Sequence, residues 1–313
     1  ATAFPVRVYA PVGNYKNLLP YLVRRLLENG ANTSFLNRFA NRESNIDALI
    51  QPPVETIRTY EQIVHPDIPL PAEMFGQQRR NSQGYNLDDP ALCASMEKLI
   101  CKTNKIRAHC LINGKPAGIN PNNIYNPANV DELLGSVTTI DTDSVAISYK
   151  SALAARIEWQ LTGANERADI LDRMADLLEK NVADLLWLIV KEGGKCIKDA
   201  LAEIREAVDF CRYYALQTRT HFSNSTRLPG PTGESNELSW HSRGVFICIS
   251  PWNFPLAIFC GQISAGLAAG NAVIAKPAEA TAITADIAIK LLHQAGVPRA
   301  VLQLLPGEGA TVG

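Results

Sequence analysis

Ile249-Ser250-Pro251-Trp252-Asn253-Phe254-Pro255, followed by Lys276-Pro277-Ala278-Glu279, decides how this chain is read. Ahead of the first stretch, Val245–Ile249 (VFICI) is a short apolar, β-branched run of the kind that forms a buried strand. Pro251 and Pro255 then exclude strand and helix interior across the turn, since proline lacks the N–H that either ladder needs. One indole and one carboxamide sit between these breakers. A second apolar run, Ala272–Ala275, ends in Lys276, and Glu279 follows three residues later. Two predicted strands thus end in polar groups, and open α/β sheets bind ligands at the carboxyl ends of their strands.

The flanks fit that arrangement. Leu256, Phe259, Ile263 and Leu267 fall at helical spacing over Leu256–Ala269, with Gly270-Asn271 as the stop. Thr281 is expected to cap a second helix striped by Ile283, Ile287, Leu291 and Leu292. Gly296-Val297-Pro298 ends it, and Val301–Leu305 reads as the next strand. In the closing Pro306–Gly313 segment the glycines permit close backbone approach to a ligand. The dinucleotide fingerprint G-x-G-x-x-G is absent, because the spacing is Gly307, Gly309 and then Gly313.

The P-W-N-F-P and K-P-x-E stretches closely resemble the signatures of the aldehyde dehydrogenase superfamily. The resemblance implies an α/β fold with a Rossmann-type NAD-binding domain, incomplete here. Asn253 is then the oxyanion donor to the tetrahedral thiohemiacetal of aldehyde oxidation, a role typically worth ~100–1,000-fold in rate. Lys276 and Glu279 hold the adenosine ribose of NAD, an ammonium donating to hydroxyl oxygens and a carboxylate accepting from hydroxyl protons. Ile249, Ser250, Pro251 and Trp252 line the same groove, Gly309 and Gly313 lie by the cofactor, and Phe254 faces the aldehyde. The missing fingerprint fits a family whose NAD mode relies on the Lys and Glu.

The amino-terminal end carries a second pattern. Phe4–Pro11 is expected to be a strand and Leu18–Asn29 a helix ending at Gly30. Tyr21, Arg25 and Glu28 share one face of that helix, and Arg24 can reach toward Glu28. Adjacent arginines suit a carboxylate, although a surface ion pair on an amphipathic helix has the same local pattern. The wider string from Val8 through Phe35 resembles the last strand and helix of the proline dehydrogenase barrel, a (β/α)8 fold. That resemblance implies that Tyr9, Tyr21, Arg24 and Arg25 bind proline and that Glu28 and Phe35 contact FAD. Both resemblances on one chain are similar to the bacterial bifunctional proline utilisation family. Such enzymes oxidise proline with FAD and L-glutamate γ-semialdehyde with NAD.

Domain organisation is read accordingly: 1–50 as the end of the barrel, 51–110 as a connector, and 111–313 as the aldehyde dehydrogenase part. Its nucleotide-binding βαβ starts at about 244. Prolines at 52, 53, 66, 69, 71 and 90 mark the connector, which is expected to be partly helical and partly extended. Leu111-Ile112-Asn113-Gly114-Lys115 resembles the opening strand of the aldehyde dehydrogenase module. Asn113–Asn129, rich in Asn, Gly and Pro, is expected to form turns rather than regular elements. Helices are predicted over Ser144–Leu161, Glu166–Lys180, Val182–Glu192 and Ile197–Thr218, and a short strand over Glu237–His241.

With 313 residues, 46% hydrophobic and 19% charged, the composition is that of a globular protein of about two domains. A formal net charge of −1 gives no electrostatic reason to expect nucleic acid. No run of about 18 apolar residues is present, so no membrane span is expected. With no visible signal peptide, the expected location is the cytoplasm, and the resemblance implies a homo-oligomer. Seven cysteines and five histidines show no metal-ligand spacing, so no metal is expected. Cys248 and Cys260 lie in apolar runs and are expected to be core residues. Cys196 follows Gly193-Gly194-Lys195, in a turn that the resemblance places far from the chemistry.

No cysteine stands in the family's nucleophile context, and its general-base glutamate has no match either. The chain is therefore expected to be a fragment, silent alone in both reactions. Two other readings stay open: an aldehyde dehydrogenase of different specificity, and a nucleotide-binding fragment without catalysis.

Overall fold

Asn113-Gly114 sets the first hairpin of the carboxyl-terminal part. Both residues have positive φ, 54° and 68°, which matches the twist of flanking strands. A computed structural model describes residues 11–30, 45, 47, 50–62, 67–100 and 105–313. The chain divides into two units, Ala1–Ile68 and Pro69–Gly313.

In the first unit, helix α1 (Tyr15–Gly30) starts three residues before the expected Leu18. Its Leu22, Val23, Leu26 and Leu27 are exposed. A short helix α2 (Pro53–Arg58) opens on a proline, which suits a first turn that has no N–H partner to lose.

The second unit runs from a single 3₁₀ turn, Pro71–Glu73, to α3 (Pro90–Ile100). Five strands follow: β1 (Ile106–Ala108), β2 (Cys110–Ile112), β3 (Lys115–Ala117), β4 (Ile119–Asn126) and β5 (Asn129–Thr139). Helices α4 (Thr142–Leu161), α5 (Ala164–Lys180), α6 (Val182–Lys191) and α7 (Ile197–Phe222) come next, then a ribbon of β6 (Thr226–Leu228) and β7 (Asn236–Leu238). The chain closes with β8 (Val245–Ile249), α8 (Ala257–Ala268), β9 (Ala272–Lys276), α9 (Ala282–Ala295), β10 (Leu302–Leu304) and the four-residue α10 (Gly309–Val312).

The main sheet has the order β3-β2-β10-β9-β8. Strands β8, β9 and β10 are parallel, while β2 pairs antiparallel with β10 and with β3. Every residue of β9 is buried, as befits a central strand covered on both faces. Phe259, Ile263 and Leu267 of α8, and Ile283, Ile289 and Leu292 of α9, are all but inaccessible to solvent. They join Met174, Leu178 and Ile204 from α5 and α7 in the hydrophobic interior.

One expectation fails here. The Asn113–Asn129 stretch is not a set of turns: it carries β3 and β4, and β4 pairs antiparallel with the long β5 in a second sheet ordered β1-β5-β4. Pro121 is tolerated because β4 is an outer strand and the register shifts between Ile119 and Pro121. The asparagines work as turn-makers at the far end, where Asn126 accepts from the Ala128 N–H and donates to Glu132.

The stretch ahead of α3 is pinned to the helices at Asn81 and Ser82. Ser82 donates through N and Oγ to Asp209, 2.8 and 2.7 Å away. Arg212, nearly buried, donates to the Asn81 carbonyl and to both Asp176 and Glu179.

Candidate active site

Strands β8 and β9 run side by side, with Ile249 opposite Lys276 in register. The two signature loops therefore leave the same edge of the sheet. β10 is parallel to β9, so Pro306–Gly313 leaves that edge as well. Ser250 ties the strand ends together, its N–H donating to the Lys276 carbonyl at 3.0 Å and its hydroxyl to Gln262 at 3.2 Å.

Beyond Ser250 the loop projects: Pro251, Trp252, Asn253 and Phe254 are exposed, while Pro255 and Leu256 are buried. Among the described residues nothing hydrogen-bonds the Asn253 carboxamide, which leaves its N–H₂ available to an oxygen outside the protein. At β9 the geometry is the opposite. Lys276 is 5% exposed, and its Nζ donates to the Pro277 carbonyl at 3.2 Å and to Glu279 Oε1 at 3.1 Å. Burial pushes the Glu279 carboxyl up, but its own backbone N–H and the Lys276 ammonium outweigh this and hold it below the usual carboxylate range. A diol meeting this pair finds an ammonium donor and a carboxylate acceptor 3.1 Å apart. Gly309 opens α10 with free space where a Cβ would stand, whereas a Cβ at Gly313 would press on the Gly309 carbonyl.

Two buried glutamates went unremarked in the sequence. Neither helix that follows a signature loop caps itself. Leu256 occupies the N-cap of α8, and Thr281, expected to cap α9, makes no side-chain bond there. Glu203 of α7 caps α8 instead, its Oε1 accepting from the N–H groups of Leu256 (2.7 Å) and Ala257 (3.2 Å). Glu192, just past α6, caps α9, accepting from Ile283 N–H, Thr284 N–H and the Thr284 hydroxyl. Burial pushes the Glu192 carboxyl up to about 7 against the pull of these donors. Their letters carry no separate signal, since Lys191 stands beside Glu192, and Arg205 and Glu206 stand close to Glu203; only packing brings each to a helix N-terminus, which attracts negative charge.

The turn between α6 and α7 also corrects an expectation. It does not lie remote from the Pro251–Pro255 loop: Lys195 Nζ sits 3.8 Å from the centre of the Phe254 ring, and Gly193 packs near Pro255. Cys196 in that turn is exposed. Burial raises the thiols of Cys110 and Cys211 to about 12 and that of Cys248 to about 11, and raises Cys260 well above the ordinary range. These four are inert core thiols at neutral pH, as expected for Cys248 and Cys260.

In the amino-terminal unit, α1 brings Arg25 over the Tyr21 ring at 5.7 Å, and Arg24 is exposed. Tyr9, Phe35 and the side chain of Glu28 lie outside the described residues. Among the described residues, no helix is long and apolar enough to cross a membrane, and no cluster of His, Cys, Asp and Glu is suited to a metal.

A parallel strand pair with an amide-bearing loop after one strand and a Lys–Glu pair after its neighbour defines an α/β module of the kind that takes ligands at its strand ends. More narrowly, the chain belongs to the aldehyde dehydrogenase family, whose pattern matches residues 115–313. The proline dehydrogenase pattern matches residues 1–38. The chain is 44% identical to the bifunctional protein PutA of Salmonella typhimurium, over 99% of this chain and 23% of that protein. A crystal structure of proline utilization A from Bdellovibrio bacteriovorus superposes with a TM-score of 0.75 at 32% identity, over 97% of this chain and 31% of that one. The NAD-bound 1-pyrroline-5-carboxylate dehydrogenase from Thermus gives 0.71 at 28% identity, over 75% of this chain and 46% of that one. The chain thus spans about a quarter of the length of the curated PutA relatives it matches.

Proposed function

We propose that this chain supplies the cofactor-binding part of an NAD-dependent L-glutamate γ-semialdehyde dehydrogenase, within a bifunctional enzyme that also oxidises proline. The observation that carries the reading is the pair of adjacent strand ends, Ile249 opposite Lys276, with Asn253 beyond one and Glu279 beyond the other. The donor set fits the cofactor: Lys276 and Glu279 grip the adenosine ribose, and Ile249, Ser250, Pro251, Trp252, Gly309 and Gly313 line the groove. NAD⁺, when bound, supplies a hydride acceptor. Asn253 donates its N–H₂ to the oxyanion that forms as a thiolate adds to the aldehyde, and Phe254 borders the aldehyde. The attacking cysteine and the general base are assigned to sequence outside these residues.

The same reading assigns 1–50 to the end of a proline dehydrogenase barrel, 51–110 to a connector and 111–313 to the aldehyde dehydrogenase part. In the barrel end Tyr9, Tyr21, Arg24 and Arg25 hold the proline carboxylate and ring, and Glu28 and Phe35 contact FAD. A homo-oligomer in the cytoplasm completes it. The 44% identity to PutA over nearly the whole chain supports this assignment.

The direct test is turnover by the protein translated from the complete reading frame. It is expected to reduce NAD⁺ with L-glutamate γ-semialdehyde and to reduce an artificial acceptor with proline. Turnover of other aldehydes with none of the semialdehyde would overturn the specificity. Failure to bind NAD⁺ would overturn the class.

A further inference from the structure

We propose that Lys195 and Glu203 are positioning residues for Asn253, a role that rests on the oxyanion reading above. Phe254, immediately after Asn253, has its ring under the Lys195 ammonium at 3.8 Å, a cation–π contact. Lys195 Nζ is at the same time 2.5 Å from Glu203 Oε2, a charge contact at an angle outside hydrogen-bond geometry. The other oxygen of Glu203 takes the backbone N–H groups of Leu256 and Ala257, three and four residues past Asn253. Glu203 is 1% exposed, so it has no water to turn to.

Phe254 and Leu256 are thus fastened to α7 and its preceding turn through one ion pair. Gly193 belongs to the seat as well: it lies beside Pro255, and a Cβ there would meet the Ile189 carbonyl at 2.7 Å, so glycine is what lets the chain turn off the end of α6 at this place. Between Ser250, tied to β9, and Leu256, tied to Glu203, the loop spans five residues that include two prolines. Proline stiffness plus two fixed ends leaves Asn253 little freedom, which is what a preorganised oxyanion donor requires. A buried ion pair is a weak stabiliser, but breaking it by removing one partner strands the other charge. Its retention at this place is explained by geometry of the loop more than by stability.

The test has two arms. Amide hydrogen exchange in Lys195→Met of this chain is expected to speed by about tenfold or more at Leu256 and Ala257, whose N–H groups Glu203 accepts, with β9 and β10 unchanged. In the full enzyme Lys195→Met is expected to lower kcat by about tenfold or more, with NAD⁺ affinity within about twofold and Lys195→Arg restoring most of the loss. Added to Asn253→Ala, Lys195→Met is expected to cost nothing further, because both act through one group. Unchanged exchange at Leu256 and Ala257, or losses that multiply in the double variant, would overturn the proposal. So would exchange rising uniformly over the whole unit, which marks a merely structural pair. Should Lys195→Met fail to fold, Glu203→Gln, which keeps the acceptor to Leu256 and removes the charge, gives the same comparison; failure of both to fold also overturns it. A wild-type enzyme that binds no NAD⁺ sinks the dehydrogenase reading and leaves the exchange result standing alone.

Discussion

The ends of β8 and β9 are neighbours built in opposite ways. After β8 the Asn253 side chain is exposed and unheld, and order comes from the backbone around it, through two prolines and the Glu203 cap. After β9 the Lys276 side chain is itself buried and held against Glu279, and the backbone beyond it is capped by Glu192. The difference suits the roles proposed for the two ends. A group that stabilises charge only in the transition state is best left without a ground-state partner, since an existing hydrogen bond would have to be broken first. A group that holds a cofactor before, during and after the reaction gains by standing ready and paired. One helix–turn–helix, α6 to α7, supplies both caps, so the two ends share a single support.

Substitutions at the two ends should accordingly fail in different observables. The largest effect is expected for Asn253→Ala in the full enzyme, a fall in kcat of about 100-fold or more with NAD⁺ affinity within about twofold. Steady-state kinetics that returned a near-normal kcat would dissolve the contrast. Next come Lys276→Ala and Glu279→Gln, each expected to weaken NAD⁺ binding by about tenfold while kcat at saturating cofactor stays close to wild type. Calorimetric titration is the check, and unchanged affinity in both variants would remove the ribose assignment.

The smallest effect concerns the caps. Glu192 is raised by burial to about 7 and is joined to α9 by hydrogen bonds alone, while Glu203 has Lys195 beside it. Because the folded value lies above the unfolded one, the native state binds more protons between the two. The stability that this contributes is full below the ordinary glutamate range of about 4.3 and is lost as pH rises through about 7. The urea midpoint of wild type is therefore expected to fall between about pH 5 and pH 8 by more than that of Glu192→Gln. Equal slopes would show that the carboxyl does not change its protonation there.

How much of this could be read from the letters depended on which force was at work. AVIAK announced itself because a central parallel strand buried on both faces needs an unbroken apolar run. VFICI does form a strand, but not the buried one its letters predict: β8 is an outer strand of the sheet, and Phe246, Ile247 and Ile249 are exposed. Asn253, Lys276 and Glu279 follow at the ends of these two strands. The β4–β5 hairpin did not announce itself, because Pro121 and the asparagines of β4 carry turn chemistry, and only an outer strand with a shifted register accommodates them. Glu192 and Glu203 were invisible for a different reason. A glutamate among helical residues has the same spacing whether it meets water or a neighbouring helix end, and only tertiary packing separates the two. Lys195 was passed over with them, since its value lies in Phe254 and Glu203, 59 and 8 positions away.

The pairing of β2 with β10 sets a schedule for synthesis. Leu111 waits for Leu304, roughly 190 residues downstream, before its strand has a partner in the middle of the sheet. At a translation rate of about 5–20 residues per second, that is on the order of 10–40 s during which the edge of β2 that β10 later takes is unfilled. The Cys110 and Leu111 side chains, fully sheltered once the sheet closes, spend that interval without their cover. A nascent chain of this topology is expected to engage a chaperone over that window, and ribosome-bound intermediates halted before Leu302 should be the protease-sensitive ones.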